Sequence, residues 1–173
     1  MSAANSGVFA FLGNTTNVTI GISEFQVTTD PDATLVTYSL GSCLGIVLWD
    51  EERKIAGMAH CLLPLSRTDP EKAKANPAMF TDTGVIALLS AMAEQGATVD
   101  KLVVKIAGGG SPLGNLSSYD IGDRNVTVLR KILWKNSLLI AAEDVGGSKP
   151  RTLRLHNGTG EVTVSTGREI TEL

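Results

Sequence analysis

Two apolar runs, residues 44–49 and 55–63, flank a charged loop of five residues, 50–54. Runs of that length around a short polar loop specify a β-hairpin, and the pairing is fixed by the centre of the loop. With the loop centred near Glu52, cross-strand partners have numbers summing to about 104, so Cys43 lies opposite residue 61, give or take one. Directly opposed Cβ atoms in an antiparallel pair are about 5 Å apart. The hairpin alone therefore delivers Cys43 to the neighbourhood of His60 and Cys61.

The remaining elements follow from periodicity. Residues 1–16 read as a loose lead-in rich in Ser, Ala, Asn, Gly and Thr, with the domain proper over 17–173. Residues 18–28 have strand character, with Val18, Ile20 and Ile22 on one parity. Thr29-Asp30-Pro31-Asp32 forms a turn, and residues 34–38 a second strand ended by Gly41-Ser42-Cys43. The polar stretch 64–77 is a long surface excursion. Residues 79–96 form a helix, with Thr81 or Asp82 as N-cap and Gly96 as its stop. A strand over 102–107 leads into Gly108-Gly109-Gly110. Residues 123–134 form a second amphipathic helix capped by Asp123, followed by a strand over 138–142 and a turn at Val145-Gly146-Gly147. Two last strands, 152–156 and 161–165, flank a tight turn at Asn157-Gly158. The pattern is α+β: many short, mostly antiparallel strands with two good helices.

Composition removes several classes of function. A chain of 173 residues with 43% hydrophobic content and net charge -3 has enough apolar surface for a core and is not disordered. The first 50 residues contain no Lys or Arg and four acids, Glu24, Asp30, Asp32 and Asp50. Without clustered basic residues a nucleic-acid surface is not expected. Residues 8–12 are apolar but lack a basic flank, so they make a poor signal peptide, and no run approaches the roughly 20 residues of a membrane span. A cytoplasmic protein, not inserted in a membrane, is the expectation.

Chemistry has few places to sit. Cys43 and Cys61 cannot build a disulfide scaffold; each is an inert core thiol or a reactive one. His156 borders a hairpin turn, where a solvated ring is expected. His60 lies in an apolar strand, where each ring nitrogen needs a partner. Cys43 follows a Gly-Ser break, where the chain turns sharply and consecutive backbone N–H groups can face one spot. A thiolate beside an imidazolium, with backbone N–H groups near Ser42 and Cys43 holding an oxyanion and a third group orienting the ring, is the arrangement of cysteine hydrolases. The alternatives are a zinc site from Cys43, His60 and Cys61, which alternation along the strand disfavours, and a Cys43–Cys61 disulfide, unexpected in a reducing compartment. The segment 107–114 lacks both the Walker ending and the G-x-G-x-x-G spacing, so it reads as a structural turn or as backbone approaching a site.

Taken in order, the segments Leu35-Val-Thr-Tyr-Ser-Leu-Gly-Ser-Cys43, Gly57-Met-Ala-His60 running to Pro64, Phe80-Thr-Asp-Thr, Lys105-Ile-Ala-Gly-Gly109, Ile121-Gly-Asp-Arg-Asn125 and Asp144-Val-Gly-Gly147 resemble the CheD family, the chemoreceptor glutamine deamidases of bacterial and archaeal chemotaxis. The resemblance spans residues 18–166. It implies a Cys-His-Thr catalytic set carried onto Cys43, His60 and Thr37, no cofactor or metal, and a fold similar to that of cysteine-dependent deamidating bacterial toxins, with layered sheets flanked by helices. It implies deamidation of glutamines on the cytoplasmic helices of chemoreceptors through a thioester, in some members also hydrolysis of glutamyl methyl esters, and CheC, a phosphatase of the chemotaxis response regulator, as a partner. A mainly binding role toward CheC or a receptor, with weak catalysis, is the alternative, and a non-chemotactic cysteine hydrolase a third. The chain departs from the family pattern at Cys61, at Ser111-Pro112 and at Pro150-Arg151, none of which removes a member of the set.

Overall fold

The computed structural model describes residues 15–114 and 120–173. Most of the expected lead-in, and residues 115–119, lie outside these. Among the described residues, ten strands form two five-stranded sheets. The first has the order β1 (Thr16–Thr19), β3 (Ala33–Leu40), β8 (Arg151–His156), β9 (Val162–Thr166), β10 (Glu169–Glu172). The second has the order β2 (Glu24–Thr28), β5 (Ile55–Cys61), β4 (Leu44–Asp50), β6 (Val103–Gly108), β7 (Ile140–Val145). Among the described residues, the β1–β3 and β6–β7 strand pairs are parallel and the other strand pairs antiparallel. The helices α2 (Thr81–Glu94) and α3 (Ile121–Lys135) cover the outer face of the second sheet, and α1 (Pro70–Ala75) precedes them.

The layers explain the apolar runs. β4 is the central strand of the second sheet, with the first sheet on one face and helices on the other, and every residue of β4 and β5 is buried. A strand covered on both faces loses polar alternation and reads as continuously hydrophobic. Along β5 the alternation survives as a choice of core. Ala56 and Met58 face the first sheet beside Leu35, Leu153 and Val164. Ile55, Ala59 and Cys61 face Val85, Leu88 and Met92 of α2. Among the described residues, no helix is long and apolar enough to cross a membrane.

Several elements differ from the sequence expectation, each for a local reason. The strand over 18–28 is two strands in different sheets. Ser23 adopts the left-handed conformation (φ 62), Ile20 N–H still donates to Val36 O, and Ser23 N–H donates to His60 O, so residues 20–23 carry the chain from one sheet to the other. The 64–77 excursion contains α1, started by Asp69, which accepts from Lys72 N, and by Pro70 at its first position. Neither Thr81 nor Asp82 caps α2: Phe80 occupies that position, Thr81 turns inward, and Asp82 accepts from Ser66 N and Oγ. α3 starts two residues earlier than expected because Asp120, not Asp123, is its cap, accepting from Asp123 N. The strand over 138–142 becomes β7, which ends at Val145; Asn136 and Ser137 close α3, and Leu138 N–H returns to Leu133 O. The tight turn at Asn157-Gly158 is a longer loop over 157–161, since Asn157 is buried and its Nδ2 donates to Asp30 O (2.9 Å) and Lys54 O (2.7 Å). β10 was not anticipated; it pairs back on β9 through the turn at Gly167 (φ 62).

Candidate active site

The β4–β5 hairpin forms in a register one step from the expected centre, with Leu44 opposite Cys61 and Gly45 opposite His60. Cys43, just before β4, therefore continues opposite Leu62 and shares the parity of Gly45 and Val47. That parity faces the first sheet, as does His60 on β5. Gly45, opposite His60, sits where the two sheets approach closely: a Cβ there would come within 2.8 Å of both Leu40 Cδ1 and Leu153 Cδ2 from the opposite sheet. Cys43 is 8% exposed and His60 1%.

Thr37 reaches the same layer from β3, next to a bulge between Thr37 and Leu40 where Ser39 is left-handed (φ 59). Its Oγ1 lies 2.8 Å from Ile20 O and 2.7 Å from His60 Nδ1. The hydroxyl has one proton and Ile20 O can only accept, so that proton goes to Ile20 O. His60 Nδ1 must then carry the other proton and donate to Thr37 Oγ1. The neutral ring is thereby fixed with its lone pair on Nε2. That atom is buried and has no hydrogen-bond partner among the described residues. Buried polar atoms are rarely left so, and functional sites are a usual exception.

Burial lowers the pKa of His60, since the imidazolium would lose its hydration. Burial also raises that of the Cys43 thiol, against the opposing effect of a hydrogen bond from its own backbone amide. Both shifts favour the neutral form of each group.

The turn holding Cys43 is clamped through its carbonyls. Gly41 O accepts from Gly110 N (2.8 Å), Cys43 O from Gly109 N (2.8 Å) and Ser42 O from Asn125 Nδ2 (3.0 Å). The glycine segment 108–110 is thus backbone approaching the site. Gly108 is left-handed (φ +103), and a Cβ there would strike Cys43 O. A cleft of about 280 Å³ opens beside Ser42, walled by Pro112, Leu113, Asp120 and Ile121, with Leu113 80% exposed.

Cys61 is not part of this arrangement. It faces α2, where a Cβ on Gly84 would meet its Sγ at 2.8 Å. Burial, then the charge of Cys43, pushes its thiol up to about 12. Zinc ligation by Cys43, His60 and Cys61 fails for that reason, and both cysteines are free. His156 lies outside the site, half-buried with Nδ1 3.3 Å from Thr159 N. Asn125 escaped sequence reasoning, although a signal existed: it is a polar residue on the stripe Asn125, Leu129, Leu133 that α3 buries.

A family model described as CheD chemotactic sensory transduction matches residues 62–166, beginning two residues after His60. The chain is 42% identical over 158 residues to "Probable chemoreceptor glutamine deamidase CheD 1" of Syntrophus aciditrophicus, covering 91% of this chain and 99% of that protein. It is 43% identical over 156 residues to "Probable chemoreceptor glutamine deamidase CheD 2" of Anaeromyxobacter dehalogenans, covering 90% and 98%. This chain belongs to the CheD family. Among solved structures, the hypothetical protein YfiH of Bacillus licheniformis aligns with TM-score 0.45 and 15% identity over 70% of this CheD chain and 49% of its own.

Proposed function

We propose that this chain hydrolyses the side-chain amide of glutamine residues on chemoreceptors, with Cys43 as nucleophile, His60 as general base and acid, and Thr37 as the residue that orients His60. The carrying observation is the buried His60 ring: Nδ1 is held by Thr37, and the free lone pair of Nε2 lies on the sheet face that Cys43 shares. The names of the family relatives support the substrate class.

Since both shifts favour the neutral form, the proton moves as the reaction proceeds. His60 Nε2 takes the thiol proton while Cys43 Sγ bonds to the glutamine Cδ, and the carbonyl oxygen takes the negative charge. The tetrahedral adduct collapses, His60 returns the proton to the departing nitrogen, and ammonia leaves. Water, deprotonated by the same Nε2, attacks the thioester; the C–S bond breaks, leaving glutamate and the free thiol. General acid–base catalysis of this kind contributes about 10²–10⁴-fold, and backbone donors to the oxyanion about 10²–10³-fold. A glutamyl methyl ester presents the same acyl carbon with methanol as leaving group, so the same residues serve for it.

The test is incubation with receptor cytoplasmic fragments, following ammonia release and the one-dalton mass gain of each glutamine converted. Wild-type protein is expected to convert receptor glutamines and Cys43→Ala to convert none. Equal rates for the two would remove Cys43 from the reaction.

A further inference from the structure

Asn125 is fully buried within α3, and all its side-chain hydrogen-bonding groups are engaged. Nδ2 donates to Ser42 O (3.0 Å) and Leu62 O (3.3 Å), and Oδ1 accepts from Thr81 Oγ1 (2.9 Å). The carboxamide has one orientation only, because both carbonyl oxygens must face the NH₂ group. Three segments meet on this side chain: the turn before Cys43, the chain just beyond His60, and the first residue of α2.

The contact with Ser42 has a geometric consequence. No peptide bond among the described residues is cis. In a planar trans peptide the C=O and the following N–H point in opposite directions. Holding Ser42 O toward α3 therefore turns the Cys43 N–H away from α3. The same logic applies one residue earlier: Gly110 N–H holds Gly41 O, which sets the direction of the Ser42 N–H.

We propose that Asn125 is a positioning residue for the oxyanion: it orients the Ser42–Cys43 peptide so that the Cys43 N–H faces the oxygen of the carbonyl under attack. This rests on the reading of Cys43 as nucleophile. Thr81 supports it by donating to Oδ1, which prevents the carboxamide from rotating. Asparagine is needed there, since an isosteric aspartate would set acceptor oxygens against two carbonyl oxygens.

The test separates chemistry that develops an oxyanion from chemistry that does not. Acylation of Cys43 by p-nitrophenyl acetate passes through a tetrahedral oxyanion, whereas alkylation by iodoacetamide requires only the thiolate. In Asn125→Asp, acylation and receptor deamidation should fall about 10²-fold, while alkylation and its pH profile stay within about threefold of wild type. Thr81→Val should lower acylation by less than about tenfold, with Thr81→Ser restoring it. Should Asn125→Asp fail to fold, the Thr81 pair decides the matter through the same ratio of acylation to alkylation. A parallel loss of both reactions makes Asn125 merely structural and overturns the proposal, as does an unchanged ratio or a wild-type Cys43 that alkylates but does not acylate. A wild type that acylates yet leaves receptor glutamines intact defeats the substrate reading instead, and the ratio still judges Asn125.

Discussion

His60 and Cys61 are neighbours on one strand, yet they belong to different interiors. His60 faces the layer between the two sheets, where Thr37 provides a polar partner and Cys43 sits at the edge. Cys61 faces α2 among Val85, Leu88 and Met92, where burial outweighs the hydrogen bond with Thr81 that would favour a thiolate. Cys43 and Cys61 are the same residue type, both buried. Burial raises both, but only the inter-sheet layer supplies an imidazole lone pair on the same face. Reactivity in this chain is decided by strand parity, not by residue type.

The largest expected effect breaks this comparison directly. Cys43→Ala should reduce deamidation by more than about 10³-fold, given that nucleophile, base and oxyanion act as a unit, with little change in stability. Cys61→Ala should do the reverse, leaving the rate near wild type and lowering stability by about 1–2 kcal/mol through a small cavity against α2. Deamidation rates and chemical denaturation of the two variants, measured side by side, provide the check. Comparable rate losses in both would mean that the two faces communicate more than their packing implies.

Next in size is Thr37. Thr37→Val removes the oxygen that accepts from His60 Nδ1, leaving a buried N–H without a partner and the ring free to rotate or change tautomer. Deamidation should fall about 10–10²-fold, and Thr37→Ser, which keeps the hydroxyl, should recover most of it. A Val variant at full rate would show that packing alone orients the ring.

The helix-facing side offers a smaller, purely structural effect. Gly84→Ala places a methyl 2.8 Å from Cys61 Sγ and 3.2 Å from Ala78 Cα. Overpacking of that kind costs about 1–3 kcal/mol. A thermal melt should show it, while Cys43 alkylation should be unaffected.

Much of this comparison was legible in the sequence, and the gaps have physical causes. The β4–β5 hairpin came from two apolar runs and a charged loop, and its register came within one residue, because period-2 alternation and loop length are local properties. The opposite facing of His60 and Cys61 followed from the same alternation. Thr37 was different: nothing local couples it to His60, and only the family resemblance placed it there, since the contact crosses between sheets that pair with distant segments. The break at Gly21–Ser23 was missed because Val18, Ile20 and Ile22 keep one parity through a turn that moves the chain between sheets. Asn125 was passed over in favour of Asp123 because a polar residue near a helix start suggests a cap. Its actual partners, Ser42 and Leu62, lie 83 and 63 residues away. Contacts at that separation leave no periodic signature.

The last expected effect concerns pH, and it sets the same two neighbours against each other. Burial lowers the pKa of His60 in the fold below the 6.5 of an unperturbed imidazole. Below pH 6.5 the unfolded chain therefore binds a proton that the folded chain still refuses. Stability falls as pH drops from 6.5 toward the lowered folded value, with a slope of at most about 1.4 kcal/mol per pH unit. Cys61 acts at the other end. Its thiol, raised from 9.0 to about 12, ionises in the unfolded chain first, so its contribution is complete below pH 9 and is lost as pH rises from there toward 12. Denaturation midpoints across pH should show an acid limb that flattens in His60→Gln and an alkaline limb that becomes shallower in Cys61→Ala, where the raised Cys43 thiol keeps its share, each variant leaving the other limb in place. An acid limb unchanged in His60→Gln would mean that His60 takes up its proton freely in the folded chain. It would also remove the ground for starting the reaction from a neutral His60.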